Sequence, residues 1–289
     1  MKSHHIKFQK ILAVLLAILA LVGGLFGLCR AVASARAYDI APLTDERLAE
    51  LDLTGITHLM IVAHPDDETL WGGAHIADGG YLVVCITNGY NATRSAEFQA
   101  VMQASNNVGL ILSYPDKVAG KRDDWTHVRS QIQTDLEKVM TYQPWEDIVT
   151  HNAKGEYGHI HHKMTHQIVT ALYDANQLQE PLYVFGKYYR AVTLPDVQDS
   201  LTPISDDALQ QKEALLQLYT SQAHTIQNRC FCSASPGILG TECSLDAVPQ
   251  WADVLPEKVY ENVQRPLFAI FQTPDSNNID PTSPLGVSV

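Results

Sequence analysis

Short apolar runs recur from Leu59 onwards, and they constrain the fold more than any other feature of this chain. Leu59–Ala63, Tyr81–Thr87, Asp147–Thr150 and Leu182–Phe185 are each of strand length. Between them lie stretches with apolar residues at helical spacing, over 68–78, 95–108, 124–142 and 159–176, with a later one over 206–223. Strands that are apolar throughout need cover on both faces, and strands alternating with helices are joined by crossovers. The pattern predicts an α/β fold: a Rossmann-like, three-layer arrangement with a mainly parallel sheet. In such folds ligands bind beyond the carboxyl ends of the strands. That rule selects the loops after Ala63, Thr87 and Thr150.

The chain has 289 residues, 46% of them hydrophobic, enough for one sizeable domain with a real core. Its formal net charge of −12 argues against a nucleic-acid partner, which would call for a basic face. Residues 1–10 form a basic stretch carrying Lys2, Lys7 and Lys10, and 11–29 are uncharged and apolar. A signal-peptide core runs to about 7–15 residues and a spanning helix to about 20. The length leans towards a signal anchor, whereas Ala31-Val32-Ala33 and Ala33-Ser34-Ala35 resemble cleavage sites, so anchor and cleaved signal peptide both fit. The lysines keep the N-terminus in the cytoplasm. The rest is then extracytoplasmic, either secreted or held at the membrane by that one helix. Residues 30–45 read as a linker, 46–272 as the domain and 273–289 as a flexible tail rich in Pro, Asp, Asn and Ser. Cys85 reads as a core residue; Cys230, Cys232 and Cys243 read as a disulfide with a spare thiol, or a surface metal site.

The selected loops carry the chemistry. The first strand runs into His64-Pro65-Asp66-Asp67-Glu68, and the Asp147–Thr150 strand leads to His151 and then Gly155-Glu156-Tyr157-Gly158-His159-Ile160-His161-His162. A catalytic zinc takes three nitrogen or oxygen ligands and leaves a position for water. A His and an Asp at a strand end entering a helix can converge on one ion, and a second His completes the set. His159 and His162 sit one turn apart at a helix start and share a face, so one can bind metal while the other reaches substrate. A spare carboxylate beside the ion can take a proton from water. Helix capping would account for one of Asp66 and Asp67, but not for His64 or Pro65. His161 reads as an outer or solvent-facing residue. His166 is discounted, because Lys163 stands where a zincin helix has its Glu.

At these residues the chain resembles the N-acetylglucosaminyl-phosphatidylinositol de-N-acetylase (PIG-L, or LmbE-like) family. Ala63-His64-Pro65-Asp66-Asp67-Glu68 matches its first signature, and Gly155-Glu156-Tyr157-Gly158-His159 with His162 its second. The family has Pro-Asp between those two His, where this chain has Ile160-His161. Fainter echoes are Thr87-Asn88-Gly89 with Arg94 and Glu97, Tyr114-Pro115-Asp116, and 212–222, which has Tyr219 where His is common. The resemblance implies a zinc-dependent hydrolase that removes the acetyl group from an N-acetylglucosamine-type sugar or glycoconjugate. By position it implies His64, Asp67 and His162 as zinc ligands and Asp66 as general base. A protonated His159 would stabilise the oxyanion or protonate the leaving amine, and Arg94 and Asn88 would hold the sugar.

Three other readings compete. Two His and a carboxylate also suit Fe2+ or another divalent metal, as in non-haem iron oxygenases. A silent metal- or sugar-binding module would not need Asp66. Hydrolysis of another N-acyl amide would use the same site with a different pocket.

Overall fold

The computed structural model describes residues 2–189, 196, 204–229 and 271–272. Cys230, Cys232, Cys243 and the tail expected over 273–289 lie outside the described residues.

Helix α1 (Lys2–Ala37) is followed by α2 (Asp45–Ala49), β1 (His58–Val62), α3 (Asp67–Ile76), β2 (Tyr81–Thr87), α4 (Ala92–Ala104) and β3 (Val108–Tyr114). A hairpin of β4 (Lys117–Val118) and β5 (Lys121–Arg122) leads to α5 (Arg129–Met140), β6 (Asp147–Thr150), α6 (Gly155–Gly158), α7 (Ile160–Ala175) and β7 (Leu182–Phe185). Then come α8 (Asp206–Leu216), a 3-10 turn (Thr220–Gln222), α9 (Ala223–Arg229) and β8 (Phe271–Gln272). The sheet order is β3-β2-β1-β6-β7-β8; the first five strands are parallel and β8 is antiparallel to β7.

The strands are apolar at consecutive positions because each face has its own cover. Leu59, Ile61, Leu82 and Val84 pack with Ile132 and Leu136 of α5 and Ile168 and Leu172 of α7. Met60, Val62, Val83 and Cys85 pack with Leu70 and Ile76 of α3, Phe98 and Val101 of α4, and Leu215 and Leu216 of α8. Burying a side chain of this size contributes about 1.5–3 kcal/mol. The three layers expected from the sequence are therefore present. β1 pairs with β2 on one side and β6 on the other, so the strand order reverses at β1 and opens a crevice beyond its carboxyl end.

Several boundaries differ from the sequence reading. The strand β3 was not anticipated; Gly109 and Ser113 dilute its apolar run around Leu110-Ile111-Leu112. The helix expected over 124–142 begins only at Arg129, because Asp123 Oδ1 accepts the Trp125 N–H (2.7 Å), Asp124 Oδ1 accepts the Thr126 N–H (3.0 Å), and Trp125 has φ 56°. Both side chains compete with the helical ladder and hold a turn. The helix expected over 206–223 ends at Leu216. The linker reading of 30–45 does not hold. Residues 30–37 continue α1, as an Ala-rich stretch without Gly or Pro favours. After them Leu43 is 1% exposed, and its N–H donates to Asp135 Oδ1 at 3.0 Å. Within α1, Leu15–Ala37 has mean hydropathy 2.3 and is long and apolar enough to cross a bilayer.

Candidate active site

Three of the loops beyond the sheet's carboxyl edge meet around His64. Asp66 occupies the cap position of α3 with φ 117°, ψ −27°, and its side chain makes no capping hydrogen bond. Capping therefore does not explain it. Asp67 opens α3 and turns back: its Oδ2 accepts the His64 N–H at 2.8 Å and lies 3.0 Å from His64 Nδ1. Its Oδ1 lies 3.2 Å from His162 Nε2 and accepts the Trp71 indole N–H at 3.2 Å.

The other wall comes from β6 and α7. Gly155 (φ 65°) and Glu156 (φ 52°) reverse the chain, so the Glu156 carboxylate faces inwards. Glu156 Oε2 lies 2.5 Å from His162 Nδ1 and 3.1 Å from His151 Nδ1, while Oε1 accepts the Asn152 N–H at 2.9 Å. His151 and His162 stack at 3.9 Å, and the other nitrogen of His151, Nε2, accepts the Ala63 N–H at 3.0 Å. His159 is the cap of α7 rather than part of it; its Nδ1 accepts the His161 N–H at 3.3 Å. The shared helical face expected for His159 and His162 is thus not how they meet, yet their rings lie 4.5 Å apart.

One donor atom each from His64, Asp67 and His162 lies within 4.8 Å of the other two, and all three residues are buried. His162 Nε2 is a buried nitrogen with no hydrogen bond. Its Nδ1 is engaged by Glu156, so the Nδ1–H tautomer is favoured and the Nε2 lone pair points at the gap beside Asp67. An orphaned lone pair in a ring of buried donors is what a divalent cation would satisfy. The set of nitrogen and oxygen donors suits zinc and equally iron(II).

Electrostatics separate the two adjacent acids. Burial, and then the Asp67 carboxylate, push Asp66 up to about 8, with Arg94 opposing. Burial would also raise Asp67, but His162 and His64 hold it well below the usual carboxylate range. Burial and the neighbouring His64 and His162 push His159 down to about 2. The protonated His159 expected from the sequence is therefore a neutral imidazole here. With Nδ1 accepting from the backbone, its hydrogen is on Nε2.

A cavity of about 530 Å³ opens over these groups, lined among others by Asp66, Asn88, Arg94, Tyr157, His159 and Gln222. Arg94 donates to the Pro65 carbonyl and lies 3.4 Å from Asp66 Oδ2. Asn88 (φ 71°) donates to Thr87 Oγ1 at 2.8 Å. All seven residues singled out from the sequence thus border one space or its floor. His151, Glu156, Asp116 and Arg122 were not singled out. The first two stand in or beside the His-rich motif, and Asp116 in the Tyr-Pro-Asp echo; no sequence signal marks Arg122. Of the two readings of His161, outer or solvent-facing, its complete burial leaves the first, and His166, bonded to the His151 carbonyl at 2.9 Å, stays outside the donor set.

The model of the GlcNAc-PI de-N-acetylase (PIG-L) family matches residues 59–173. The match covers somewhat less than half of the chain. The matched residues run from Leu59 in β1 through β6 and most of α7, and they include all seven residues singled out from the sequence. A protein of Acanthamoeba polyphaga mimivirus, itself uncharacterised, is 31% identical over 153 residues, 47% of this chain and 63% of its own length. The chain thus spans a little under two thirds of that relative. Among solved structures, a deacetylase of the teicoplanin biosynthesis pathway is similar at 16% identity and TM-score 0.47, covering 59% of this chain and 86% of its own. The 4-carboxy-2-hydroxymuconate hydratase GalB of Pseudomonas putida is similar at 15% identity and TM-score 0.45, covering 73% and 98%.

Proposed function

We propose that this PIG-L-domain protein is a zinc-dependent N-deacetylase acting on an N-acetylglucosamine-type sugar or glycoconjugate and releasing acetate. The observation that carries the proposal is the pairing of a three-donor ring, His64, Asp67 and His162, with a neighbouring carboxylate, Asp66, that belongs to neither the ring nor a helix cap. The family match supports the reaction class.

His64, Asp67 and His162 would hold the ion. Zinc in such a site polarises a carbonyl and lowers the pKa of water towards about 7. The chain's own groups do the rest. Asp66, a carboxylate that borders the cavity outside the donor ring, would take a proton from the attacking water. His159 presents Nε2–H to the cavity, where it can donate to the oxyanion as negative charge develops on the acetamide oxygen. A donor of this kind is worth about 3–4 kcal/mol in the transition state. The proton held by Asp66 is then available to the departing sugar amine. Arg94 and Asn88 border the same cavity and would take sugar hydroxyls. α1, as anchor or signal, would deliver the domain to the extracytoplasmic side, since its basic residues precede the apolar stretch.

Acetate release from a panel of N-acetylated sugars, with and without chelator, tests the reading, and metal analysis of the purified protein distinguishes zinc from iron. A metal-loaded, folded protein that released acetate from no N-acetyl sugar would overturn it.

A further inference from the structure

His161 stands where the family pattern has Asp, and nothing above gives it a role. Its surroundings restrict where its hydrogen can be. Nε2 lies 2.8 Å from the Asp123 carbonyl, which can only accept, so Nε2 carries a hydrogen. Trp125 stacks on the ring at 4.4 Å with 9° between planes and fixes its orientation. Nδ1 then faces His64 Nε2 at 3.0 Å. Between two facing nitrogens one donates and the other accepts. A neutral His161 with its hydrogen on Nε2 offers a lone pair at Nδ1, so His64 donates through Nε2. Asp116 Oδ1, 3.5 Å from the same His64 nitrogen, adds a second acceptor on that side. Arg122 Nη1 is also 3.5 Å away, but it is bound to Asp116 Oδ1.

A neutral His64 with its hydrogen on Nε2 has its lone pair on Nδ1. That atom is the one 3.0 Å from Asp67 Oδ2, on the side of the donor ring. We propose that His161 is a positioning residue that holds His64 as the Nε2–H tautomer and so makes Nδ1 its metal-binding atom. The chain Asp123 carbonyl, His161, His64 is the counterpart of Glu156 acting on His162: each imidazole ligand has its outer nitrogen tied down by a partner that the fold already holds. The inference rests on reading His64, Asp67 and His162 as a metal centre. A rival use of the same residues is a second ion, since donor atoms of His64, His159 and His161 also lie within 4.8 Å of one another. The Arg122 guanidinium puts a fixed positive charge beside that cluster, and both nitrogens of His161 are already engaged.

Two substitutions separate the two nitrogens of His161. In His161→Asn the amide oxygen falls where Nδ1 was, which keeps the acceptor for His64 and gives up the bond to Asp123. In His161→Gln the amide nitrogen falls where Nε2 was, which keeps the carbonyl bond and removes the acceptor. Zinc affinity, read by competition with a chromophoric chelator, should weaken about 10–100-fold in the Gln variant and stay near wild type in the Asn variant. A role in packing alone predicts the opposite order, and that order, or equal affinities, overturns the proposal. Two zinc ions per wild-type chain, falling to one in both variants, would overturn it in favour of a second ion. Imidazole 15N shifts of the zinc-loaded wild type provide a check that needs no mutation: a hydrogen on His64 Nδ1 refutes the assignment. If the wild type binds no zinc, the metal centre itself is wrong; if it binds and the Gln variant binds equally, only the role of His161 is.

Discussion

Replacing Glu156 by Gln tests whether the site is held together from behind. Glu156 is 3% exposed. Its Oε2 faces the Nδ1 atoms of His162 and His151 at 2.5 and 3.1 Å, and its Oε1 takes the Asn152 N–H at 2.9 Å. A glutamine of the same size has one acceptor oxygen and one donor NH2. With the oxygen towards the imidazoles, the NH2 meets the Asn152 N–H; flipped, it meets both ring N–H groups. Either orientation strands at least one buried donor, a loss of about 1–3 kcal/mol. At about 2–4 °C per kcal/mol for a domain of this size, the metal-free Tm should fall by roughly 2–12 °C. Removing the negative charge behind His162 also makes its Nε2 a poorer ligand, and zinc affinity should drop about 10–100-fold. Thermal unfolding in chelator reads the first effect and chelator competition the second. A variant with wild-type Tm and wild-type zinc affinity would refute the claim that Glu156 fixes the His162 tautomer.

Asp66→Asn should keep stoichiometric zinc and lose about 10²–10⁴-fold in acetate release, because the base is gone while the donor ring remains; full turnover would remove Asp66 from the mechanism. His162→Ala should purify without zinc, and metal analysis at one ion per chain would count against its role as ligand. The metal-free protein should lose stability as pH rises from about 6.5 to 8. In that window Asp66, pushed up to about 8 by burial, loses the proton it holds in the folded state, one that the unfolded chain gives up near pH 4. His159, pushed down to about 2, is neutral in both states above pH 6.5 and drops out there, opposing the trend only at lower pH. Urea unfolding at a series of pH values in chelator checks the sign; stability flat or rising across that window would show that the fold does not hold Asp66 protonated.

The sheet was readable from the sequence because burial on both faces forces continuous apolar runs, and β1, β2, β6 and β7 all have them. β3 escaped because Gly109 and Ser113 interrupt its run: Gly109 backs directly onto Phe98 and Met102 of α4, which leave no room for a side chain. The donor ring was readable because its members lie in two short motifs at adjacent strand ends. What lies behind the ring was not. Glu156 looks like part of a polar loop until φ 52° turns it inwards, and His161 looks like a residue on the far side of a helix until Trp125 and the Asp123 carbonyl bury it. Such roles depend on backbone reversals and on long-range partners, neither of which leaves a periodic trace.

Asp66 shows how the motif and the distant parts of the chain depend on each other. Two consecutive acids must send their carboxylates to different places, Asp67 to the imidazoles and Asp66 to the cavity. A regular helix start would not separate them this way; φ 117° at Asp66 does, and for a residue with a side chain such backbone costs about 1–3 kcal/mol. The strain persists because the surroundings fix it. Glu68 Oε2 accepts the Asp66 N–H at 3.1 Å, while Glu68 Oε1 is gripped by Thr69 Oγ1 and the Tyr219 hydroxyl, each at 2.6 Å. Tyr219 follows α8 and is fully buried. The last acid of the His-Pro-Asp-Asp-Glu run is therefore a brace for the strained Asp66, and the brace is anchored on a residue outside the 59–173 match altogether. It follows that the His-Pro-Asp-Asp-Glu run cannot be transplanted as a five-residue unit: without α8 and Tyr219 to engage Glu68, Asp66 would relax towards an ordinary helix cap and lose its aim at the cavity.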